Sequence, residues 1–305
     1  MKSIKKVLLF THEKYHKNED ISKLTRFLKS KKIGTELLIQ TSKNIEIQSS
    51  SEIIDIRKIK KQTSLSGFGM VIVFGGDGLF LSASKIAYLL NIPILGINFG
   101  KIGFLVDLDK KDIIKKVYEI LKGSYITDKR IMIDGKVTDD NQKVISSTSL
   151  NDIVIYNHGL LKMIQAKIFI NDFLINIQRS DGVIVSTPTG STAYSMSNGC
   201  PIVSPTADVI NITPISPHTY SDRPIIIDSS DIIKSYDGIN GNNQVFLTKF
   251  QPTILPSVAS ATKLNLLSQP PESHSLEIST VVAPSVASPI LVRIELIPLP
   301  GTTTR

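Results

Sequence analysis

Met70-Val71-Ile72-Val73-Phe74-Gly75-Gly76-Asp77-Gly78-Leu79 is the stretch from which the fold can be read. The apolar run Met70–Phe74 has the length and content of a buried strand. It stops at three glycines that surround one carboxylate. Glycine lets the backbone turn sharply and lets amide groups come close to an anion. Leu81–Leu90 then has the content of a helix, and a helix starting near Leu79 would aim its positive end at the same spot. A carboxylate among such amides makes sense if it accepts a proton or holds a metal. A tight Gly-Asp-Gly turn without chemistry accounts for the same four residues, so both readings stay open here. The position, at the exit of a buried strand, is where open α/β sheets bind ligands.

The same alternation extends outward. Val7–Phe10, Glu36–Ile39 and Ile92–Ile97 read as strands. Ile21–Leu28 and Asp112–Leu121 carry apolar residues at helical spacing. Residues 1–125 are therefore expected to form an α/β domain with a parallel sheet. The texture then changes. Arg130–Val137, Ile153–Tyr156, Gln165–Ile170, Phe173–Ile177, Val183–Ser186 and Pro224–Ile227 follow one another as strands with little helix between them. Residues 126–250 read as a β-rich, sandwich-like domain. Asn171-Asp172 sits at hairpin spacing, without a supporting glycine. Residues 251–305 differ again: they hold eight of the fifteen prolines and only six charged residues. Such an atypical Pro/Ser-rich tail should be irregular, because proline breaks ladders and helices alike.

Composition excludes several classes. With 41% hydrophobic and 20% charged residues, the 305-residue chain is ordinary globular protein rather than disordered. No apolar run approaches the ~20 residues a membrane-spanning helix needs. The N-terminal Val7–Phe10 is too short for a signal peptide and suits a buried first strand. The one cysteine, Cys200, permits no internal disulfide and suits the cytoplasm. The net charge of +8 comes from scattered lysines without interleaved aromatics, which argues against nucleic acid and fits a solvated surface or a phosphorylated small molecule. The five histidines share no ligand spacing with each other or with Cys200, so no zinc site is expected.

Three further stretches could carry chemistry. Gly96-Ile97-Asn98-Phe99-Gly100, with Gly103-Phe104-Leu105 after it, follows a strand but lacks a full dinucleotide fingerprint. Arg179-Ser180-Asp181-Gly182 leads through an apolar strand into Ser186-Thr187-Pro188-Thr189-Gly190-Ser191-Thr192-Ala193-Tyr194-Ser195, a run of hydroxyls that could serve a ribose or a phosphate. Asn151-Asp152 stands just before the strand Ile153–Tyr156, where a turn is the plainer reading, and His218 in Pro214-Ile215-Ser216-Pro217-His218 reads more plainly as a structural histidine than as a base.

Taken in order, these motifs resemble the NAD kinase family over roughly residues 5–240. Thr187–Tyr194 is the most specific part; Gly-Gly-Asp-Gly alone is shared with other phosphoryl-transfer enzymes. The resemblance implies an α/β domain followed by a β-rich one with the nucleotide between them. It also implies transfer of the terminal phosphate of ATP, or of polyphosphate in some members, to the 2′-hydroxyl of the adenosine ribose of NAD, giving NADP. It implies magnesium as divalent cation and a homo-oligomer, dimer or tetramer. By the same resemblance Asp77 accepts the ribose proton with Gly78 beside it, and Asn151 and Asp152 hold the ribose. Phe104 packs near the adenine. Thr192, Ala193, Tyr194, Ser195, Met196 and Ser197 wrap the nucleotide, with Arg179, Asp181 and Lys162 as polar contacts. The chain departs from the pattern at Leu79, where Asn or Thr is usual, at Phe99 and Lys101, at Cys200 in Asn198-Gly199-Cys200-Pro201, and at Ile239, where glutamine is usual. A lipid or sugar kinase, or a dinucleotide-binding protein of the same fold with weak or no kinase activity, are the alternatives.

Overall fold

The computed structural model describes residues 4–42, 44–49, 53, 65–100, 103–106, 108, 110–123, 125–138, 144–156, 163–219, 221–237, 244–247 and 257–259. By internal contact the chain forms two units that change over between Arg130 and Ile131.

The first unit is built on β1 (Lys6–His12), β2 (Gly34–Gln40), β3 (Ile45–Ile47), β4 (Val71–Gly75), β5 (Ile94–Asn98) and β6 (Ile126–Asp128). Between them run α1 (Glu19–Ser30), α2 (Asp77–Leu90) and α3 (Ile113–Leu121). β2, β1, β4 and β5 are mutually parallel neighbours, the arrangement that strand–helix alternation predicts. In β4 every residue is buried, as expected of a strand covered on both faces. α1 starts at Asn18, whose side chain accepts the Asp20 amide at 2.8 Å, and it buries Ile21, Leu24 and Leu28. α2 stops at Asn91, which takes the left-handed conformation (φ 53°) without glycine. Val7, Leu9, Ile72 and Phe74 join the buried faces of α1 and α3 in one core. Burying such a side chain stabilises by about 1.5–3 kcal/mol, which makes this sheet a rigid platform for the loops at its strand ends.

The sheet gains one strand that composition does not predict. β17 (Ser257–Ala259) lies between β5 and β6, giving the order β3-β2-β1-β4-β5-β17-β6. Ser257-Val258-Ala259 contains no proline, so its ladder donors are intact although its surroundings are proline-rich.

The second unit holds β7 (Ile133–Thr138), β8 (Val144–Ser149), β9 (Asp152–Tyr156), β10 (Ile164–Ile170), β11 (Phe173–Ser180), β12 (Gly182–Ser186), the one-turn α4 (Tyr194–Ser197), β13 (Val209–Ile215), β14 (Ile225–Asp228), β15 (Ile233–Asp237) and β16 (Gln244–Leu247). They form two antiparallel sheets, β11-β10-β15-β16-β7-β8 and β14-β13-β12-β9. Ile133, Ile164, Ile168 and Ile233 of the first share a core with Ile153, Val183, Val185, Ile210 and Ile212 of the second, as in a sandwich. The β10–β11 hairpin turns at Asn171 and Asp172, both at positive φ (49° and 72°), the geometry that a two-residue hairpin loop demands.

Candidate active site

The carboxyl ends of β1, β2, β4 and β5 frame a cleft of about 340 Å³. Gly75, Gly76, Gly78 and Leu79 line it on the α2 side, and His12, Lys14, Tyr15 and Gln40 on the side of β1 and β2. Gly76 is the residue before the first turn of α2 and caps it with no side chain. Asp77 stands in that first turn, where the helix dipole favours its negative charge.

The Asp77 carboxylate is held by the loop that follows β5. Its Oδ2 accepts the Phe104 amide at 2.8 Å and its Oδ1 the Leu105 amide at 3.2 Å. Gly103 makes this possible, since a Cβ there would fall 2.3 Å from Oδ1. Each carboxylate oxygen keeps a second lone pair for another donor. The Phe104 side chain is 73% exposed and offers an uncovered apolar face beside Asp77. Phe99 is buried and packs edge-on against Tyr15 and Phe74. Leu79 lies over Gly75, so that stretch of the cleft is apolar.

In the second unit the expected site residues gather at one end of β9, β12 and β13. Asp152 pairs with Ser186 across one boundary and Ser186 with Asn211 across the next, a polar row through the sheet. Asp152 is 1% exposed, and burial pushes its carboxyl up to about 6. Its Oδ2, and Oδ1 of the adjacent Asn151, are buried without a hydrogen bond. Buried polar atoms are nearly always paired, and among the described residues these two have no donor.

The hydroxyl run folds differently from its reading. Thr187 Oγ1 donates to Leu150 O at 2.6 Å, Ser191 Oγ to Pro188 O at 2.7 Å, Thr192 Oγ1 to Thr189 O at 3.2 Å and Ser195 Oγ to Ser186 Oγ at 2.8 Å. These hydroxyls hold the loop's own shape instead of facing outward, because a turn this tight leaves its carbonyls without ladder partners. Gly190 lies so close to Asn151 that a Cβ would come within 2.1 Å of its carbonyl oxygen. Exposed surface on α4 comes from Met196 and Ser197, with Thr192, Ala193 and Tyr194 half-buried. Ser195 is fully buried. Arg179 and Asp181 are exposed at the β11–β12 junction, where the Arg179 carbonyl accepts the His218 amide at 2.8 Å. Lys162, Lys101 and Ile239 lie outside the described residues. Cys200 fits without strain: the positive φ of that turn falls on Gly199 (81°), and the thiol is buried.

Two features were not foreseen. One is the cleft side formed by His12, Lys14, Tyr15 and Gln40, which no local pattern marks. The other is Asn211, whose Nδ2 reaches Ser186 O, Ser186 Oγ and Thr187 O at 3.3–3.4 Å. A lone Asn between Ile210 and Ile212 in a buried strand was the available signal.

Residues 8–125 match the model of the ATP-NAD kinase N-terminal domain and residues 150–255 that of the C-terminal domain. The NAD kinase of Cellvibrio japonicus is 38% identical over 211 residues, 68% of this chain and 69% of that protein. The chain belongs to the NAD kinase family. An NAD kinase from Lachnospira eligens is also 38% identical, over 69% of this chain and 70% of the relative. Among solved structures, yeast NADH kinase complexed with NADH superposes with a TM-score of 0.69 at 19% identity, covering 91% of each chain. An Archaeoglobus fulgidus NAD kinase in complex with ATP gives 0.57 at 17%, over 86% of this chain and 96% of that one. At these identities the likeness shows the NAD kinase fold alone.

Proposed function

We propose that this chain transfers the terminal phosphoryl group of ATP to the 2′-hydroxyl of the adenosine ribose of NAD, giving NADP and ADP. The observation that carries the reading is Asp77: a carboxylate in the first turn of α2, beside a glycine-lined cleft, its two oxygens aimed by the loop amides of Phe104 and Leu105. A ribose hydroxyl is a weak nucleophile at neutral pH. Asp77 takes its proton while the new phosphorus–oxygen bond forms and the bond to the ADP oxygen breaks. Amides at the start of α2 stabilise phosphate charge. Asn151 and Asp152 meet the ribose, whose hydroxyls supply the donors that their buried oxygens lack. Phe104 and the exposed part of residues 192–197 contact the dinucleotide, with Arg179, Asp181 and Lys162 as polar partners.

Among the described residues no group of three or more His, Cys, Asp or Glu is placed to hold a metal ion. A divalent cation, magnesium by its preference for phosphate oxygens, would be held with the donor's phosphates, with Asp77 as the carboxylate beside the cleft, and would offset phosphate charge. A cytoplasmic setting fits the single buried cysteine, and among the described residues no helix is long and apolar enough to cross a membrane. A homo-oligomer fits the exposed edge strand β11.

The test is Asp77→Asn in the full chain. Turnover should fall by at least ~10²-fold, the scale for a positioned base, while NAD still binds by calorimetry. Near-normal turnover would remove Asp77 from the role.

A further inference from the structure

We propose that the donor's phosphate chain is recognised from the β1 side of the cleft, with Lys14 as the specificity-determining cation and His12 as a second donor. The inference rests on the kinase reading and extends it to residues that the resemblance leaves unassigned.

The α2 side of the cleft is bare. Gly76 and Gly78 have nothing within 4 Å of where a Cβ would stand, and neither has a positive φ. A side chain at either position would extend into the open space of the cleft, and glycine leaves that space free for a ligand. Leu79 covers Gly75 and contributes only hydrocarbon to that side. Amides alone are left there, and an oligophosphate needs more positive charge than amides supply.

The β1 side has the complementary character. His12, Lys14 and Tyr15 line the cleft from the end of β1 and the 3-10 turn Glu13–Tyr15 that follows it. The turn is fixed in two ways. Tyr15 packs edge-on against buried Phe99, with ring centroids 5.9 Å apart. The Lys14 amide donates to His12 Nδ1 at 3.2 Å. With Nδ1 occupied as acceptor, Nε2 is the protonated nitrogen of the neutral ring, so His12 is a donor without needing a charge. Lys14 Nζ sits 4.7 Å from the centroid of the Tyr15 ring, a cation held over an aromatic face. Among the described lining residues none is acidic, and the Asp77 carboxylate beside the cleft is held by the Phe104 and Leu105 amides. Gln40, also lining the cleft, has its Oε1 buried without a partner. An anion with several oxygens in a row is the ligand class that this set fits.

The experiment measures equilibrium binding of inorganic tripolyphosphate to the full chain, together with initial rates in ATP and in NAD. Lys14→Met keeps the apolar stem and removes the charge. It should weaken tripolyphosphate and raise KM for ATP by roughly tenfold or more, the scale of a charge-assisted contact, while KM for NAD and the melting temperature stay close to wild type. Lys14→Arg should retain most of the affinity. Lys23→Met, which removes the same charge from exposed α1, should change neither constant. Tripolyphosphate binding that depends on Lys14 in a chain making no NADP would uphold this subsite and sink the kinase reading. Unchanged tripolyphosphate affinity in Lys14→Met, or an equal loss for NAD and donor, overturns the proposal.

Discussion

At the residue scale, one buried group and one that borders open space show function set against stability. The Asp152 carboxyl, raised to about 6 from 3.8 by burial, holds its proton in the folded chain at pH values where the unfolded chain has released it. The stabilisation this gives is fully present below about pH 4 and is lost as pH rises through 6. Above that the folded state carries a penalty of about 3 kcal/mol, from roughly two pKa units at 1.36 kcal/mol each. Asp152→Asn should therefore flatten the pH dependence of urea stability between pH 4 and 7, gain most at pH 7, and weaken NAD. Equal slopes for variant and parent would show that Asp152 is not titrating in this window. Gly78 is the converse case. It occupies a helical position of α2 with open space where a Cβ would stand. Gly78→Ala should stabilise the chain by about 0.5–1 kcal/mol through helix propensity and at the same time raise KM for ATP. A gain in stability with unchanged ATP kinetics would mean that the open space beside Gly78 is not used by the donor.

At the element scale, the sequence makes some pieces plain and hides others. The unit β4–Gly75-Gly76-Asp77-Gly78–α2 is legible because strand, turn and helix each follow from local composition, and Asp77 stands out within it. β13 is not legible. Asn211, Thr213 and Pro214 interrupt its apolar pattern, although it is an inner strand of its sheet. Asn211 is there because the strand lies beside a loop whose carbonyls need partners, a demand only tertiary structure reveals. The same cause explains the hydroxyl run, which reads as a ligand-facing surface and instead satisfies itself. Gly190 tests how tightly that element is set. A Cβ there collides with Asn151 backbone atoms, which cannot move as a side chain can. Gly190→Ala should cost about 1–3 kcal/mol by overpacking, visible as a lower denaturation midpoint, and should weaken NAD through Asn151. A variant as stable as its parent would show that β9 and the loop separate easily.

At the scale of the whole molecule, the two units follow the two textures of the sequence, while β17 shows a short proline-free stretch of the late chain adding to the sheet of the first unit. One surface remains unexplained by either unit. Among the described residues β11 ends its sheet, and the outer side of its eight residues faces no neighbouring strand there. Phe173 is 74% exposed, and Leu174, Ile175 and Ile177 are each 49% exposed. Soluble chains usually blunt such edges with charge, proline or a covering element, and this one carries neither charge nor proline from Phe173 to Gln178. A second copy of the chain is the occupant that suits it. Antiparallel strands related by a two-fold axis pair edge to edge, bury both apolar rows and close the assembly without leaving a further edge at that place. Light scattering on the eluting protein should give the mass of two chains or more. Ile175→Lys with Ile177→Lys places charges along the same row without touching the buried Gln178 and Ser180. The double variant should keep its circular dichroism and fall to the mass of one chain, because two such edges then repel each other. A wild-type chain that elutes as a monomer, or a double variant whose mass does not change, removes β11 from the interface.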